Sequence, residues 1–518
     1  MMRRAALVAA LATIIALPYF QFTKNSNDDK FLFQNVQGKN NTVLFLTDDH
    51  HGFCNVHLAS VYSLLENHPQ IIIHYASFPK NNERLQHIAS LATRNGSGGK
   101  DVTFYPLPGL GYAGAIDREI GRQENIRHGP GLAAARKLAG NFRYYLAPWS
   151  VEEYLALYES VSEVIEQVDP AVIVIDTFFS PGIDATRDKR RLHALVTPNL
   201  FSDLTPAAQP AWTLFWKYPA LGSGFPYPVP WRYIPENIYA NFQIIRGMLS
   251  LPDIAAKKDF LREKGIKRPI DFMGLYRPDV PWITQTLSGA HLPLVVPPNV
   301  TLAGPINLAG LEEKTSAVQE LLDWITKPTV LISLGSGFSY LEYDAKAMLE
   351  AIQAVLTETD VQIIWKMDKL VPFDDEFIKT ALQAWPDRLR IEKWLAAEPP
   401  TLVQHKNVIA FVHHGGAGCF HDAIEGGVLQ IILPQWADLY NFAELAQYLG
   451  VGIWACQETS PSWNPECLYH AFMQVVKDSS TKARMANNAA SFAQLASKVK
   501  GRDVAAQEIA RLAASGYS

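Results

Sequence analysis

VIAFVHHGGAGCFHDAIEGG, the sequence of residues 408–427, predicts a buried β-strand, a glycine-rich loop and an α-helix in direct succession. The strand pattern covers Val408–Val412, and the helical pattern begins near Cys419. Glycines in such a loop let backbone amides approach a ligand, and the helix N-terminus offers unpaired N–H groups and the positive end of its dipole. The stretch therefore indicates either a phosphate-binding unit or an ordinary glycine turn, and the surrounding sequence has to distinguish them.

This stretch belongs to the second of two series in which strand and helix patterns alternate. Alternation of this kind predicts parallel sheets with crossover helices, so two series predict an α/β protein with two doubly wound domains and a cleft between them. The strands are predicted at residues 42–47, 71–75, 171–175 and 194–197 in the first series, and 329–334, 361–365, 408–412 and 429–433 in the second.

The length of the chain agrees with this division, because 518 residues exceed the size of a single hydrophobic core. Glycine, proline and polar residues replace the periodic patterns around residues 304–317, which places the seam there. We predict a targeting segment at residues 1–22, a first domain at 40–305, a linker at 306–327, a second domain at 328–495 and a C-terminal helix at 496–518.

Composition excludes some classes of function. A formal net charge of -5 provides no basic surface for nucleic acid. Four cysteines are spread along the chain and indicate neither a disulfide framework nor a zinc site. Aromatic residues and prolines concentrate at residues 212–218 and 225–233 without a regular period, which fits both irregular packing and the wall of an apolar pocket.

The N-terminus predicts contact with a membrane during synthesis. Arg3 and Arg4 precede an apolar run from Ala5 to Phe22, which suits a cleaved signal peptide and a retained anchor equally. Three N-x-S/T triplets, which would be glycosylation sites in a secretory lumen, begin at Asn40, Asn95 and Asn299. We expect a membrane-associated protein or one of the secretory pathway, with the endoplasmic reticulum as its location.

The sequence FVHHGGAGCFHDAIEGGVLQIILPQWADLYNFA, residues 411–443, resembles the donor-binding signature of the UDP-glycosyltransferases, including sterol and macrolide glycosyltransferases with a paired histidine before the glycines. Its layout is most similar to fungal members with an N-terminal hydrophobic segment. The resemblance extends to Trp394, to LGS at residues 334–336, to Gly450 and Gly452 and, more faintly, to residues 50–59, 172–185 and 303–306.

The resemblance implies the GT-B fold, in which the first of two facing Rossmann-like domains binds the acceptor and the second binds the nucleotide sugar. It also implies a UDP-sugar co-substrate with no cofactor and no metal ion. By position, the donor-binding residues that it implies are Trp394 against uracil, Ser336 at a helix start near the phosphates, His414 at the diphosphate, Gly416 and Cys419 in the phosphate loop, Asp422 at the ribose, and Asp438 and Asn441 at the sugar.

Three positions depart from the family pattern. Asp422 replaces the usual glutamate, and a shorter carboxylate still accepts hydrogen bonds from two vicinal hydroxyls. Leu439 follows Asp438 where glutamine is usual, which removes one polar selector of the sugar, and Asn441 comes one position early. His413 is expected to pack rather than to bind.

Inverting members of the family use a histidine in the first strand-to-helix loop as the base, with an aspartate at a neighbouring strand end to orient it. Asp176 matches that aspartate. An ungapped alignment places Phe53 at the histidine position, so His51 is the first candidate for the base and His50 the second. His57 falls inside the predicted helix and is assigned a structural role.

We therefore expect a glycosyltransferase that moves a hexose from a UDP-sugar to a hydroxyl of a small lipophilic acceptor, with inversion and without a metal. A sterol, a terpenoid, a polyketide or a lipid would suit an apolar cleft. Two alternatives keep the donor site: a nucleotide-sugar epimerase of the same fold, and a non-catalytic binding partner, which Phe53 in place of histidine favours.

Overall fold

A computed structural model describes residues 35–94, 101–121, 125–205, 208–249, 251–270, 279–311 and 315–517. The segment at residues 1–22 and the triplet at Asn95 lie outside the described residues. Within the described part of the chain, no helix has the length and apolar character that crossing a membrane requires.

The first half of the chain forms, among its described residues, a sheet of seven parallel strands in the order β3-β2-β1-β4-β5-β6-β7. The central strands β1 and β4 are apolar and buried because helices cover both faces of the sheet. The strands are β1 Lys39–Leu46, β2 Ile72–Ser77, β3 Thr103–Pro106, β4 Pro170–Ile175, β5 His193–Thr197, β6 Trp282–Thr284 and β7 Val300–Leu302.

Helices connect these strands and, between β5 and β6, build an irregular helical layer. They are α1 His51–Asn67, α2 Lys80–Arg94, α3 Tyr112–Ile120, α4 Leu132–Leu146, α5 Val151–Val168, α6 Ser180–Asp188, α7 Phe201–Leu204, α8 Thr213–Trp216, α9 Ile234–Leu249 and α10 Pro252–Glu263, with short 3₁₀ helices at Pro210–Trp212 and Trp231–Tyr233.

The second half forms, within the described residues, a sheet of six parallel strands in the order β10-β9-β8-β11-β12-β13. Its strands are β8 Thr329–Ile332, β9 Gln362–Lys366, β10 Leu389–Glu392, β11 Val408–His413, β12 Leu429–Ile432 and β13 Gly452–Trp454. Its helices are α11 Ser316–Trp324, α12 Glu342–Glu358, α13 Glu376–Ala384, α14 Pro399–Leu402, α15 Ala417–Gly426, α16 Leu439–Leu449, α17 Pro465–Val476 and α18 Ser480–Ala496.

The last helix, α19 (Gly501–Ala513), returns to the first domain and packs against α1. Ser63 donates a hydrogen bond of 2.7 Å to Asp503, and Gly501 lies so close to the carbonyl oxygens of Gly304 and Pro305 that a Cβ would collide with both. The end of the chain thus contributes to the core of the first domain. Two doubly wound parallel sheets confirm the predicted fold class.

One disulfide bond is present that the spacing of the cysteines did not predict. Cys456 and Cys467 form a disulfide bond, with their Cα atoms 5.4 Å apart. The bond closes the short connection between β13 and α17, and a single pair separated by 11 residues carries no recognisable sequence pattern. Cys54 and Cys419 remain free thiols.

Candidate active site

The glycine loop connects β11 to α15 at the carboxyl edge of the second sheet. Gly415 has a φ of +91°, and a Cβ there would lie 2.8 Å from the carbonyl oxygen of Leu439, so the position requires glycine. Gly416 is the N-cap of α15, and no side chain caps this helix. The first N–H groups of α15 are therefore available to an anionic ligand.

His414 lies directly above this loop. A Cβ at Gly335 or Gly416 would approach its Cε1 to 2.5 or 2.4 Å, so the imidazole is held between two glycine backbones. Burial lowers the pKa of His414 to about 3, and the nearby His413 and Lys366 act in the same direction. A neutral ring can donate one hydrogen bond to a phosphate oxygen.

His413 is fully buried and its contacts are local. Its Nε2 lies 3.0 Å from Oε1 of Gln430, and the backbone N–H of Gly415 donates to its Nδ1 at 3.1 Å. Both ring nitrogens are thus used to shape the loop.

Trp394 and Ser336 lie on the same side of the cleft but in different surroundings. The Trp394 side chain is 58% exposed, and the ammonium group of Lys366 lies 4.0 Å from its ring centroid. Lys366 also donates to the carbonyl oxygen of Gly335 at 3.1 Å. Ser336 is exposed in the loop after β8, whereas α12 begins only at Glu342, so the expected helix start at Ser336 is wrong.

Asp422 lies one turn inside α15 and is nearly buried. The amide nitrogen of Asn307 donates to Oδ1 of Asp422 at 2.9 Å and to Oε2 of Glu425 at 2.6 Å. Burial raises the pKa of Asp422 well above its ordinary value, and it also raises the pKa of the Cys419 thiol in the first turn. The described residues contain no group of three His, Cys, Asp or Glu side chains arranged to hold a metal ion.

Asp438 is the N-cap of α16, and burial raises its pKa to about 6. Three residues later, the Asn441 amide donates to Oδ1 of Asp203 in the first domain at 2.7 Å. Burial raises the pKa of Asp203 to about 8. No local pattern pointed to Asp203, because its contact with Asn441 joins two domains across 238 residues.

The first loop begins at the end of β1 and leads into α1. His50 is the N-cap of α1 and His51 its first residue, and burial lowers their pKa values to about 4 and about 3. His50 acts electrostatically on His414, and Lys366 acts on both His51 and His414. The first loop and the glycine loop therefore face each other across the cleft.

Asp176 immediately follows β4 and is 1% exposed. Its backbone N–H donates to the carbonyl oxygen of Leu46, two residues before Asp48, so the two aspartates leave the sheet at adjacent strand ends. Oδ2 of each aspartate is buried and has no hydrogen-bond partner among the described residues. Neither His50 nor His51 is among the groups that shift the pKa of Asp176. The structure thus pairs Asp176 with a second carboxyl group that the sequence pattern did not single out.

Phe53 occupies the position where the family has its histidine. Its ring centroid lies 5.0 Å from that of Phe178 and 4.9 Å from that of His50, within an aromatic cluster beside the first loop. His57, one turn further along α1, is fully buried and packs edge-on against Phe45.

A small pocket opens between the domains beside Asn441. The aromatic middle region contributes Tyr218 and Tyr227 to its wall, so part of that region forms a pocket lining. The pocket is lined by Leu200, Ser202, Tyr218, Pro219, Tyr227 and Leu292 of the first domain and by Asn441, Glu444 and Leu445 of the second.

Comparison with known proteins agrees with this geometry. Residues 362–510 match the model of the C-terminal domain of proteins like the erythromycin biosynthesis protein CIII. The glycosyltransferase sdnJ of Sordaria araneosa is 32% identical over 445 residues, which cover 82% of this chain and 86% of that protein. The 2-hydroxyacylsphingosine 1-beta-galactosyltransferase of Mus musculus is 25% identical over 303 residues, covering 52% of this chain and 50% of that protein.

Solved structures show the same fold. A UDP-glucose: anthocyanidin 3-O-glucosyltransferase in complex with UDP matches with a TM-score of 0.59 and 13% identity, covering 92% of this chain and all of that one. The calicheamicin glycosyltransferase CalG4 matches with a TM-score of 0.58 and 16% identity, covering 91% and 98%. The chain therefore belongs to the UDP-glycosyltransferases, enzymes of the GT-B fold that use a UDP-sugar as donor.

Proposed function

We propose that the protein transfers a hexose from a UDP-sugar to a hydroxyl group of a small lipophilic acceptor and inverts the anomeric configuration. The observation that carries this proposal is the placement of two histidine-bearing loops, His50–His51 and His413–His414, on opposite sides of one cleft. A donor at the glycine loop would present its sugar towards the first domain. An acceptor oxygen could then attack from the side opposite the diphosphate.

The second domain supplies the groups that would stabilise the departing UDP. Negative charge develops on the diphosphate as the bond to the sugar breaks, and preorganised N–H donors at the start of α15 together with the His414 ring would stabilise it. Lys366 donates to the carbonyl oxygen of Gly335, which lies against the His414 ring, and Ser336 is the next, exposed residue of the same loop. These groups support a reaction in which no metal ion is needed.

The first loop would supply the base. Burial keeps His50 and His51 neutral at physiological pH, so either ring can accept the acceptor's proton. His51 remains our first candidate. The positive charges of Arg84 on α2 and Lys366 across the cleft add to burial in lowering the pKa of this ring, so His51 would hold the acceptor's proton only weakly.

An apolar acceptor is supported by the character of the side chains at the interdomain cleft, where leucine and tyrosine side chains surround Asn441 and Glu444, although the pocket that they line in this structure is only about the size of a water molecule. Such a lining suits a largely apolar molecule with one hydroxyl group to orient. A sterol, a terpenoid, a polyketide or a lipid all have this character.

The test is UDP release from several UDP-sugars against a panel of apolar alcohols, followed by determination of the anomeric configuration of the product. Acceptor-dependent release with an inverted linkage is the expected result. A changed sugar without a glycosylated acceptor would instead indicate an epimerase. UDP binding without turnover for any alcohol in the panel would speak against the proposed acceptor class.

We further propose that the enzyme works in the secretory pathway, most simply in the endoplasmic reticulum. The disulfide between Cys456 and Cys467 supports an oxidising compartment. Two of the glycosylation triplets give little support to this location, because Oδ1 of Asn40 is buried and the Asn299 amide donates to the carbonyl oxygen of Val280. Protease protection in intact microsomes tests the location independently of any glycan.

Association with a membrane is supported by exposed aromatic side chains beside the acceptor region. Trp212, Trp216 and Trp231 are 48%, 45% and 84% exposed, and tryptophan is favoured at the bilayer interface. Sedimentation with phospholipid vesicles, compared between the wild type and Trp231→Ser, would measure their contribution beside that of residues 1–22.

A further inference from the structure

Asp48 and Asp176 form a buried carboxyl pair beneath the first loop. Strands β1 and β4 are neighbours, with Leu46 opposite Ile175, so the two aspartates leave the sheet at adjacent strand ends. Asp48 is 0% exposed and Asp176 1%. Oδ1 of each accepts a hydrogen bond from a backbone N–H, and Oδ2 of each is buried without a hydrogen-bond partner among the described residues.

The backbone contacts of the pair fix the loop that carries the candidate base. The N–H of His50, the N-cap of α1, donates to Oδ1 of Asp48 at 2.5 Å. The N–H of Phe178 donates to Oδ1 of Asp176 at 3.0 Å. Ser77 and Asn81 hold the carbonyl oxygen of Asp48 from the second strand-to-helix connection. A displacement of the Asp48 carboxyl group would therefore move the start of α1.

The charges around the pair oppose full ionisation. Burial and the negative charges of Asp176 and Asp49 raise the pKa of Asp48 well above its ordinary value. Burial raises the pKa of Asp176 to about 6. Other titratable side chains that interact electrostatically with the pair are Cys54 on α1, Tyr75 on β2 and Tyr112 at the start of α3, which are neutral when protonated and negative when not. One cation, Arg84 on α2, donates to Sγ of Cys54 at 2.9 Å.

We propose that Asp48 and Asp176 share one proton, and that this proton makes Asp48 a positioning residue for His50 and His51. In this arrangement Oδ2–H of Asp48 donates to Oδ2 of Asp176, while Oδ1 of Asp48 accepts the N–H of His50. Loss of the shared proton leaves two carboxylates in contact, and their repulsion displaces the loop. The pair takes the place that a histidine–aspartate contact has in the family pattern.

This inference rests on the proposed function only for its effect on turnover, so two readouts are needed. The decisive variant is Asp48→Asn, whose amide oxygen can accept from His50 and whose NH₂ group can donate to Asp176. It therefore imitates the protonated state at every pH. Asp48→Ala removes both contacts. Asp101→Asn is the matched control, because it makes the same change at an exposed acid before β3, at the opposite end of the strands.

The first readout is the free energy of unfolding in urea between pH 5 and pH 9, which requires no turnover. An acid whose pKa is higher in the folded than in the unfolded protein stabilises the fold at pH values below its unfolded pKa. This stabilisation is lost as pH rises through the folded-state pKa. The wild type and Asp101→Asn should lose stability towards alkaline pH, and Asp48→Asn should lose less. Equal losses in all three proteins would overturn the shared proton.

The second readout is kcat across the same pH range with an accepted alcohol. Asp48→Asn should keep wild-type kcat within about threefold at pH 6 and should lack the wild-type decline at alkaline pH, whereas Asp48→Ala should be impaired throughout. A loss in Asp48→Asn as large as in Asp48→Ala would show that Asp48 itself takes the proton, which would overturn the positioning role. If the wild type turns over no alcohol, the proposed function fails. The stability readout then still tests whether Asp48 and Asp176 share one proton.

Discussion

Arg127 of the first domain and Asp344 of the second form an ion pair of 3.0 Å whose side chains are only 8% and 1% exposed. The same guanidinium lies 5.8 Å from the ring centroids of Phe338 and Trp463. The next residue, His128, accepts a hydrogen bond from the backbone N–H of Ala437 at 3.0 Å. These contacts fix the two domains against each other at one end of the cleft.

Replacing Arg127 by methionine should destabilise the protein by about 3–5 kcal/mol, because it leaves the Asp344 carboxylate buried without its partner. Burial already raises the pKa of Asp344, and the positive charge of Arg127 is the main force that opposes this. The loss should therefore be smaller at acidic pH, where Asp344 can take up a proton. Urea unfolding at pH 5 and pH 8 measures both effects.

The control for this prediction is Arg143→Met, which breaks an ion pair with Asp253 whose side chains are 42% and 64% exposed. Exposed pairs contribute about 0–1 kcal/mol. Equal losses in the two variants would contradict the account of Arg127 as a buried interdomain contact.

His414→Ala should lower kcat by about 10²–10³-fold, the range observed when one preorganised donor to a developing negative charge is removed. Since the pKa of His414 is about 3, protonation of this ring should produce no decline in wild-type activity between pH 8 and pH 5. Steady-state kinetics with a fixed UDP-sugar measures both. The control is His470→Ala, because the His470 side chain on α17 is 65% exposed.

Asn307→Asp should weaken donor binding more at pH 8 than at pH 6. The new carboxyl group would stand where one amide now donates to both Asp422 and Glu425, whose pKa values are raised by burial. One unit of unfavourable pKa shift corresponds to about 1.4 kcal/mol, or about tenfold in the dissociation constant for the UDP-sugar. Calorimetric titration with UDP at pH 6 and pH 8 measures the loss of affinity. Asn487→Asp, on the exposed face of α18, should bind UDP like the wild type.

The sequence predicted the parts of the fold that are buried on both sides. Residues 43–46 of β1, all of β4 and residues 408–412 of β11 are continuous apolar runs because helices cover both faces of a parallel sheet. The strands that it missed, such as β6, β7 and β13, have three residues each and lie at or near sheet edges. Such short segments carry no period that distinguishes a strand from a loop.

In the candidate site, too, the sequence predicted the parts that depend on local pattern and missed those that depend on distant contacts. The glycine loop could be located because its requirement for glycine and for a following helix is satisfied within a dozen residues. Asp48, Asn307 and Asp203 could not, because their partners are distant in sequence: Asn307 and Asp422 are separated by 115 residues. Burial in a shared cleft, rather than local pattern, gives these side chains their chemistry.

His57→Leu should make the protein less sensitive to acid. The pKa of the fully buried His57 is lowered to about 3 by burial, whereas an unfolded chain binds the proton near pH 6.5. A group whose folded-state pKa is lowered costs stability as pH falls below the unfolded value, by about 1.4 kcal/mol per pH unit for one proton. Between pH 6.5 and pH 5.5, where the unfolded histidine goes from half to almost fully protonated, the variant should therefore lose about 1 kcal/mol less than the wild type in urea unfolding. The apolar surroundings of His57 in α1 accept leucine, so stability at pH 7.5 should be preserved. An unchanged acid dependence would mean that this imidazole is accessible to protons in the folded protein.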